Sequence, residues 1–563
     1  MIIQYMKYGL SFIALCLPLS MVCAASLELL DGETIGQWVW FGRVLPFAVG
    51  CIITVYLIQL CEKESWKKAL KFPDFFVYLS WGLLFLGIVE AIWGMRQLYG
   101  FTVSGHSRYV MTGSFFNPGP YAGYLAMVLP ICLHHYMRVL NEWKGESKAL
   151  KIEKMVAAMA GILILCVLPA TMSRSAWIAA LISCTWVAYM NRSECKRRIL
   201  WQKYKKQYFC CGLLSLFIIL AVVVGLFLLK PDSALGRLFM WKIALNAIIS
   251  HPCGYLQGFA YAFGQAQENY FSQGGYTVWE ERVAGSPEYA FNEYLELAIT
   301  KGVFILVIIL VFIIVNWWLG CKLRRYGVCG AILSLLVFSF SSYPMHIPAF
   351  IITLICLVLA CGLADFIGKP LLLLIYLFIV GIGLGKEWQQ KENTCRSWAN
   401  AKILYRTGAY NAAIKAYECL YPKMQKEGEF LFEYGHSLHK VGRYYESNKI
   451  LNKACLYTTD PVALNIIGKN YKELHQYETA EFFFRKSVNR LPGRIYPYYL
   501  LAKLYADSIF CNLEKFEEMK RIVLTKEPKV HSTAIEEMRR EMVEIGREWD
   551  NGGESTRNTN GSQ

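Results

Sequence analysis

Residues 303–319, VFILVIILVFIIVNWWL, contain no charged side chain and follow directly after Lys301 and Gly302. As a helix this stretch is about 25 Å long, close to the ~30 Å thickness of a bilayer hydrocarbon core. It therefore predicts a membrane-spanning helix. A polar stretch of roughly seventy residues, Lys230–Lys301, comes immediately before it and predicts one large extramembrane loop.

Apolar segments of similar character lie on both sides of this pair, and the chain contains about eleven in total. The others are Tyr8–Ala25, Trp40–Leu60, Phe75–Leu98, Pro118–Leu140, Met155–Met172, Ser175–Met190, Phe209–Leu229, Val328–Tyr343, Ala349–Phe366 and Leu371–Leu384. Repeated segments of this length are typical of helices, which satisfy their own backbone hydrogen bonds inside lipid. The predicted fold class is all-α, a polytopic transmembrane helical bundle of about eleven spans. The first segment also resembles a secretory signal.

Basic residues are concentrated in alternate loops, at positions 63–71, 144–154, 192–206 and 322–325. Cytoplasmic loops retain excess Lys and Arg, so this alternation predicts an N-terminus inside and the Lys230–Lys301 loop outside. The chain after Gly385 is then outside as well, unless Leu371–Leu384 does not cross, in which case it is cytoplasmic. Much of the net charge of +16 is explained by this topology, and we predict no nucleic-acid partner.

Cysteines are numerous, nineteen in all, but many lie in or beside apolar segments, where they behave as small hydrophobic residues. The sequence has no CxxC pair and no Cys/His cluster with metal-ligand spacing. We therefore predict no metal site and no cofactor.

A different pattern begins after Gly385, with tyrosines at Tyr410, Tyr444 and Tyr477, spaced by 34 and then 33 residues. This period resembles tetratricopeptide repeats, in which each unit is a pair of helices. We predict about three repeats in 398–508 and a helical cap to about residue 549, within a domain 398–549 that forms an α-solenoid. A disordered tail, 551–563, follows, and the membrane domain is 1–386. A generic helical bundle is the alternative.

Polar clusters at the predicted outer ends of the spans are the candidates for chemistry. Asn117 and Pro118 open the fourth span, where free backbone N–H groups favour an anion, although a helix cap is the simpler interpretation. Arg174 lies in the turn TMSRSAW of residues 171–177. Its planar guanidinium group, which can bind two phosphate oxygens at once, would lie at the depth of the lipid headgroups. An interface anchor is the alternative for Arg174.

The large loop and the last outer turn carry further polar and glycine-rich clusters. Arg237 and Trp241 lie one helical turn apart, and a Pro/Gly-rich turn follows them. The residues singled out in these clusters are Arg237, Trp241, Pro252, Gly254, Gly258, Asn292, Glu293, Tyr294, Tyr343 and His346.

The order of these motifs resembles the O-antigen ligase and polymerase superfamily. The resemblance rests on Gly236-Arg237 with Trp241, then Pro252, Gly254 and Gly258, then Asn292, Tyr294, Leu295 and Gly302, and covers roughly residues 101–348. It implies a GT-C-like fold in the bacterial inner membrane and a role in lipopolysaccharide or related polysaccharide biosynthesis. Such proteins transfer a glycan from undecaprenyl diphosphate to lipid A core, another glycan or a protein, without nucleotide sugars or a required metal.

The resemblance also implies residue roles, with one departure. Arg174 and Arg237 would bind the donor diphosphate as negative charge grows on it. Family members usually carry His-Asn where this chain has Phe291-Asn292, and phenylalanine cannot accept a proton. Glu293 or His346 would then be the general base, unless they are a solvated carboxylate and an interface residue. We predict a glycan ligase, with a polymerase or a protein O-oligosaccharyltransferase as alternatives. A non-catalytic scaffold or transporter that binds lipid, and recruits protein partners through the repeats, is the alternative from another class.

Overall fold

The computed structural model describes residues 2–24, 32–61, 75–141, 148–192, 231–362 and 370–559. In these ranges all regular structure is helical and no strand occurs, which confirms the all-α class. The predicted segment Phe209–Leu229 lies outside the described residues.

Helices of the N-terminal part follow the predicted apolar segments closely. They are α1 Ile2–Leu19, α2 Gly32–Cys61, α3 Phe75–Leu98, α4 Pro118–Asn141, α5 Lys148–Val167 and α6 Arg174–Met190. Short 3-10 turns, Ser20–Cys23 and Leu168–Thr171, continue α1 and α5.

The large loop is mostly helical, and it leads into the apolar stretch of residues 303–319. Its helices are α7 Pro231–Ser250, α8 Phe259–Ser272, α9 Val278–Val283 and α10 Glu293–Lys301. They are followed by α11 Val303–Lys322, α12 Tyr326–Ser339, α13 Pro348–Ala360 and the long α14 Pro370–Arg406, with a 3-10 turn at Pro344–His346 before α13.

Five described helices are long and apolar enough to cross a membrane. These candidate spans are Met6–Cys23, Thr34–Val55, Phe76–Leu98, Leu150–Thr171 and Val303–Lys322. Two shorter apolar helices, Tyr326–Ser339 and Pro348–Ala360, accompany them. The chain is thus a membrane protein, while the number of eleven spans stays a prediction.

The C-terminal part is a succession of short helices, and Tyr410, Tyr444 and Tyr477 each begin one of them. The helices are α15 Tyr410–Leu420, α16 Gly428–Lys440, α17 Tyr444–Ala454, α18 Val462–Glu473, α19 Tyr477–Arg490, α20 Tyr496–Tyr505, α21 Leu513–Thr525 and α22 Thr533–Thr559. Each of the helices α15–α21 packs against the next one in the chain. We call α15–α21 the C-terminal array; its assignment to tetratricopeptide repeats stays a prediction. Helix α22 extends beyond the predicted cap end near residue 549, and residues 560–563 lie outside the described ranges.

Internal contacts divide the chain into two units. The first comprises Met1–Leu229, Phe291–Tyr294 and Ile305–Arg396, and the second comprises Lys230–Ala290, Leu295–Phe304 and Ser397–Gln563. The sequence predicts that the loop belongs to the membrane domain, whereas these contacts group most of it with the C-terminal array. The predicted domain limits therefore stay predictions.

Helix α4 lies at the centre of the first unit and packs against α3, α5, α6 and α12. Small residues allow these close approaches, as is common between helices in membranes. A Cβ atom on Gly123 would lie 2.3 Å from the Phe338 ring, and one on Gly330 would lie 2.4 Å from Val187. The bundle is therefore fixed by glycine positions that the apolar pattern alone does not reveal.

Candidate functional site

Arg174 is the first residue of α6, and the turn before it is fixed by hydrogen bonds. The indole Nε1 of Trp177 and the hydroxyl of Thr171 both donate to the carbonyl of Leu168, at 2.9 and 2.6 Å. Met172 has the left-handed conformation, with φ of 53°, and the chain then enters α6 through extended Ser173. The half-buried Arg174 therefore stands at a helix N-terminus, where backbone N–H groups favour negative charge.

A cavity of about 370 Å³ lies in the first unit next to this helix start. It is lined by Ser175, Ile178, Tyr294, Leu336, Val337, Phe340 and Ser341. Its walls are mainly apolar, and its polar groups come from the starts of α6 and α10 and from the end of α12. The structure thus brings the neighbour of Arg174 and the neighbour of Glu293 to one cavity.

The start of α10 is built by Asn292, Glu293 and Tyr294. The buried Asn292 accepts a hydrogen bond from the backbone N–H of Tyr294 at 3.0 Å, so its side chain caps the helix. Glu293 accepts one from the backbone N–H of Met345 at 2.7 Å. That bond joins the helix start to the 3-10 turn Pro344–His346, so the two candidate bases, Glu293 and His346, belong to one connected structure.

Aromatic side chains complete this connection. The ring of Tyr343 meets the ring of Phe291 edge-on, with centroids 5.3 Å apart. Tyr294 donates its hydroxyl to the carbonyl of Leu336 at 2.6 Å. Burial, with the adjacent Glu293 carboxylate, raises the pKa of Tyr294 to about 12, so this hydroxyl stays protonated and positions rather than accepts a proton.

Asn117 and Pro118 lie at the start of α4, as the sequence predicted. The side chain of Asn117 accepts a hydrogen bond from the backbone N–H of Gly119 at 2.9 Å. Upstream, the side chain of Gln97 accepts hydrogen bonds from the backbone of Thr112 and Gly113, at 2.9 and 2.7 Å. These contacts favour the simpler interpretation of the cluster as a capped and anchored helix start.

Arg237 and Trp241 both lie in α7, in the second unit. The indole Nε1 of Trp241 donates to the carbonyl of Ala290 at 3.2 Å. The backbone N–H of Ala290 donates to the buried carboxylate of Glu296 at 2.9 Å. Trp241 therefore holds the segment that leads into Phe291 and Asn292, a positioning role that its place in the motif does not specify.

The glycines of the loop motif occupy positions that favour glycine for different structural reasons. Gly254 and Gly302 have φ of 87° and 92°, and a Cβ on Gly254 would lie 2.6 Å from the backbone nitrogen of Gly302. Pro252 accepts from the backbone N–H of Val303 at 3.0 Å. Gly258 has φ of 91° and precedes α8, with open space at its Cβ position. The motif thus joins the loop turn to the start of α11.

Sequence reasoning missed a polar cluster in the loop. Glu280 accepts hydrogen bonds from Lys242 at 2.6 Å and from Tyr270 at 2.8 Å, and forms a capping box with Thr277. Burial alone would raise the pKa of Glu280, but these hydrogen bonds lower it to about 2. The spacing Thr277 to Glu280 was a usable sequence signal for the capping box.

Comparison with known families gives one match. The model of the O-antigen ligase family matches residues 159–310, which include Arg174, Arg237 and Glu293 but neither Asn117 nor His346. No curated protein and no solved structure matches the chain. The family match supports the superfamily resemblance and implies a glycosyltransferase-like activity in polysaccharide biosynthesis.

Proposed function

We propose that this protein is a glycan ligase of the inner membrane. It transfers a glycan from an undecaprenyl-diphosphate carrier to an acceptor, with lipid A core as the preferred one, on the periplasmic side. The observation that carries the proposal lies within the matched region 159–310. There, Ser175 after Arg174 and Tyr294 after Glu293 line the same cavity of about 370 Å³. The sequence neighbours of a cationic residue and of a carboxylate residue therefore line one mainly apolar cavity.

Arg174 is proposed to bind the diphosphate of the carrier. When the anomeric C–O bond breaks, negative charge grows on the departing diphosphate, and a fixed guanidinium stabilises that charge. A guanidinium fork binds two phosphate oxygens at once, and the helix N-terminus at Arg174 adds oriented N–H groups. Arg237 is proposed, from the motif resemblance alone, as a second cationic contact to the carrier.

Glu293 is proposed as the general base that accepts the proton of the acceptor hydroxyl. A base of this kind contributes roughly 10²–10⁴-fold to a rate. The variant Glu293→Gln tests the role cleanly, because an amide oxygen can still accept from the N–H of Met345 and keep the turn Pro344–His346 in place. We expect Glu293→Gln to lose transfer by at least about a hundredfold. Unchanged transfer in this variant would assign the role to His346 or to no side chain.

The deciding experiment compares Arg174→Ala, Arg174→Lys and Arg192→Ala in a deletion strain complemented with each gene. Arg192 follows the other end of the same helix, on the predicted cytoplasmic side, and is the matched control. Arg174→Ala should abolish surface glycan transfer and cause lipid-linked glycan to accumulate, while Arg174→Lys keeps a charge without the fork and should be intermediate. Normal glycan profiles from Arg174→Ala, at normal membrane abundance, would refute the mechanism.

The same strains decide between the alternatives. Loss of long chains with retained single units would identify a polymerase, and loss of glycan from proteins would identify an O-oligosaccharyltransferase. If both Arg174→Ala and Glu293→Gln transfer normally, the scaffold or transporter hypothesis takes their place. Reporter fusions after Arg396 test the proposed periplasmic location of the C-terminal array.

A further inference from the structure

The segment Ala284–Ala290 leads directly into Phe291, Asn292 and Glu293, and it has no helix of its own. Buried backbone groups of a segment without regular structure need hydrogen-bond partners outside it, and those partners help to position the segment. The contacts of these seven residues therefore bear on where the chain enters the start of α10.

Contacts from within the loop hold both ends of the segment. The side chain of Gln267, in α8, donates to the carbonyl of Gly285 at 3.1 Å. At the other end of the segment, Trp241 and Glu296 bind the carbonyl and the N–H of Ala290. Both ends of the segment are thus tied to loop helices.

Further contacts come from the C-terminal array, in the same unit. The hydroxyl of the buried Thr459, between α17 and α18, donates to the carbonyl of Pro287 at 3.0 Å. The same side-chain nitrogen of Gln267 that binds Gly285 also donates to the carbonyl of Arg490 at 2.6 Å. The array therefore binds the middle of the segment directly and its first part through Gln267.

Charge and apolar packing strengthen this contact between array and loop. Arg490 is only 4% exposed, and its guanidinium pairs with Glu268 of α8 at 3.1 Å. Lys526 pairs with Glu281. Leu491 joins an apolar core whose other members all come from the loop, Phe239, Ile243, Ala244, Ala247, Phe259, Ala262, Phe263, Phe271, Ala284, Ala290 and Ile299. The array therefore contributes to the core and to the ion pairs of the loop.

We propose that the C-terminal array is a brace within the chain that positions the segment Ala284–Ala290, and through it Asn292 and Glu293. Thr459 is a positioning residue and touches no substrate. The expected effect on glycan transfer rests on the proposed function, whereas the positioning of the segment Ala284–Ala290 by the array does not. If the array only recruited protein partners, its contact with Pro287 would have no effect on transfer.

The experiment compares Thr459→Val, Thr459→Ser and Thr407→Val in the full-length protein. Valine keeps the shape of threonine and removes the hydroxyl, and serine restores it. Thr407 is the matched control, because it is exposed and its hydroxyl donates to carbonyls of the preceding helix, Ile403 and Leu404. Hydrogen exchange of a peptide spanning 284–292 is measured in purified protein, and surface glycan transfer is measured in cells.

In the variant Thr459→Val, the amides of this peptide should exchange about fivefold faster, as expected for the loss of one hydrogen bond. Transfer should fall by roughly threefold to tenfold, since small displacements near reacting groups are costly. Thr459→Ser should restore both quantities, and Thr407→Val should change neither. Unchanged exchange in Thr459→Val overturns the brace, and faster exchange with normal transfer overturns the positioning role.

A double variant separates positioning from general destabilisation. If Thr459 acts through the turn at Asn292, then Asn292→Ala with Thr459→Val should lose no more transfer than Asn292→Ala alone. Multiplied losses would mean that Thr459 acts elsewhere, which overturns the inference. If Arg174→Ala and Glu293→Gln both transfer normally, the proposed function fails, and the exchange measurement still decides whether the array braces the segment.

Discussion

Replacement of Gly302 by alanine should open the turn that joins the loop to α11. Gly302 has φ of 92°, and a Cβ atom on it would lie 2.7 Å from the carbonyl oxygen and 2.8 Å from the carbonyl carbon of Cys253. Real Cβ atoms essentially never approach backbone this closely, so Cys253 and Gly302 would have to separate. The facing residue, Gly254, is under the same constraint, with φ of 87°.

The magnitude follows from what that separation breaks. A side chain in the left-handed conformation costs about 1–2 kcal/mol. Two backbone hydrogen bonds flank the contact, from Tyr255 to Ile299 at 2.8 Å and from Val303 to Pro252 at 3.0 Å, each worth about 1 kcal/mol. The sum is roughly 3 kcal/mol of local stability, so the turn should open about a hundredfold more often.

Hydrogen exchange of the backbone amides of Tyr255 and Val303 measures this opening directly, because these amides are the donors of the two bonds. Gly258→Ala is the first control: its φ is 91° but nothing lies within 4 Å of the Cβ position, so only the conformational cost applies. Gly236→Ala is the second control, since it lies in α7 with open space and should be neutral or stabilising. If Gly302→Ala speeds the exchange of these amides no more than Gly258→Ala does, the close backbone contact does not explain why glycine is needed at position 302.

Further predictions concern Glu280 and Tyr294. The hydrogen bonds of Glu280 lower its pKa from 4.5 to about 2, so its contribution to stability is present above pH 4.5 and is lost as the pH falls towards 2. Glu280→Gln should therefore lower the free energy of unfolding by up to about 3 kcal/mol at pH 7, and pH-dependent unfolding in detergent should show this difference vanish near pH 2. Tyr294→Phe should lower transfer by about fivefold through loss of the bond to Leu336. A rate profile that stays flat to pH 10 in the wild type checks that Tyr294 remains protonated, because its pKa is about 12.

Features encoded locally were predictable from the sequence. The segment Pro118–Leu140 became helix Pro118–Asn141, because proline at the first turn and a continuous apolar run are local signals. Tyr410, Tyr444 and Tyr477 begin helices for a similar reason, since a fixed period reports one structural unit repeated along the chain. The position of Arg174 at the start of α6 also agrees with the turn predicted at residues 171–177.

Contacts between distant parts of the chain could not be predicted in this way. Glu293 meets the backbone of Met345 across 52 residues, and Gln267 meets Arg490 across 223. Backbone carbonyl and N–H groups are the same in nearly all residues, so the pattern of side chains does not indicate which of them will be a hydrogen-bond partner. Leu491 shows the same difficulty for packing, because its apolar side chain fits the array's own pattern while it joins the loop core.

At Phe291, the backbone conformation and the ability of the side chain to accept a proton depend on different features. Its φ of 48° is a conformation that bulky side chains rarely adopt, at a cost of about 1–2 kcal/mol. The contacts that maintain it are the two bonds to Ala290, the cap made by Asn292 and the ring of Tyr343. The bonds to Ala290 and the cap made by Asn292 do not involve the side chain at position 291, whereas the contact with Tyr343 uses the Phe291 ring itself. Phenylalanine in place of the histidine that the resemblance implies thus removes a proton acceptor, while the bonds to Ala290 and the cap still hold the start of α10 that carries Glu293.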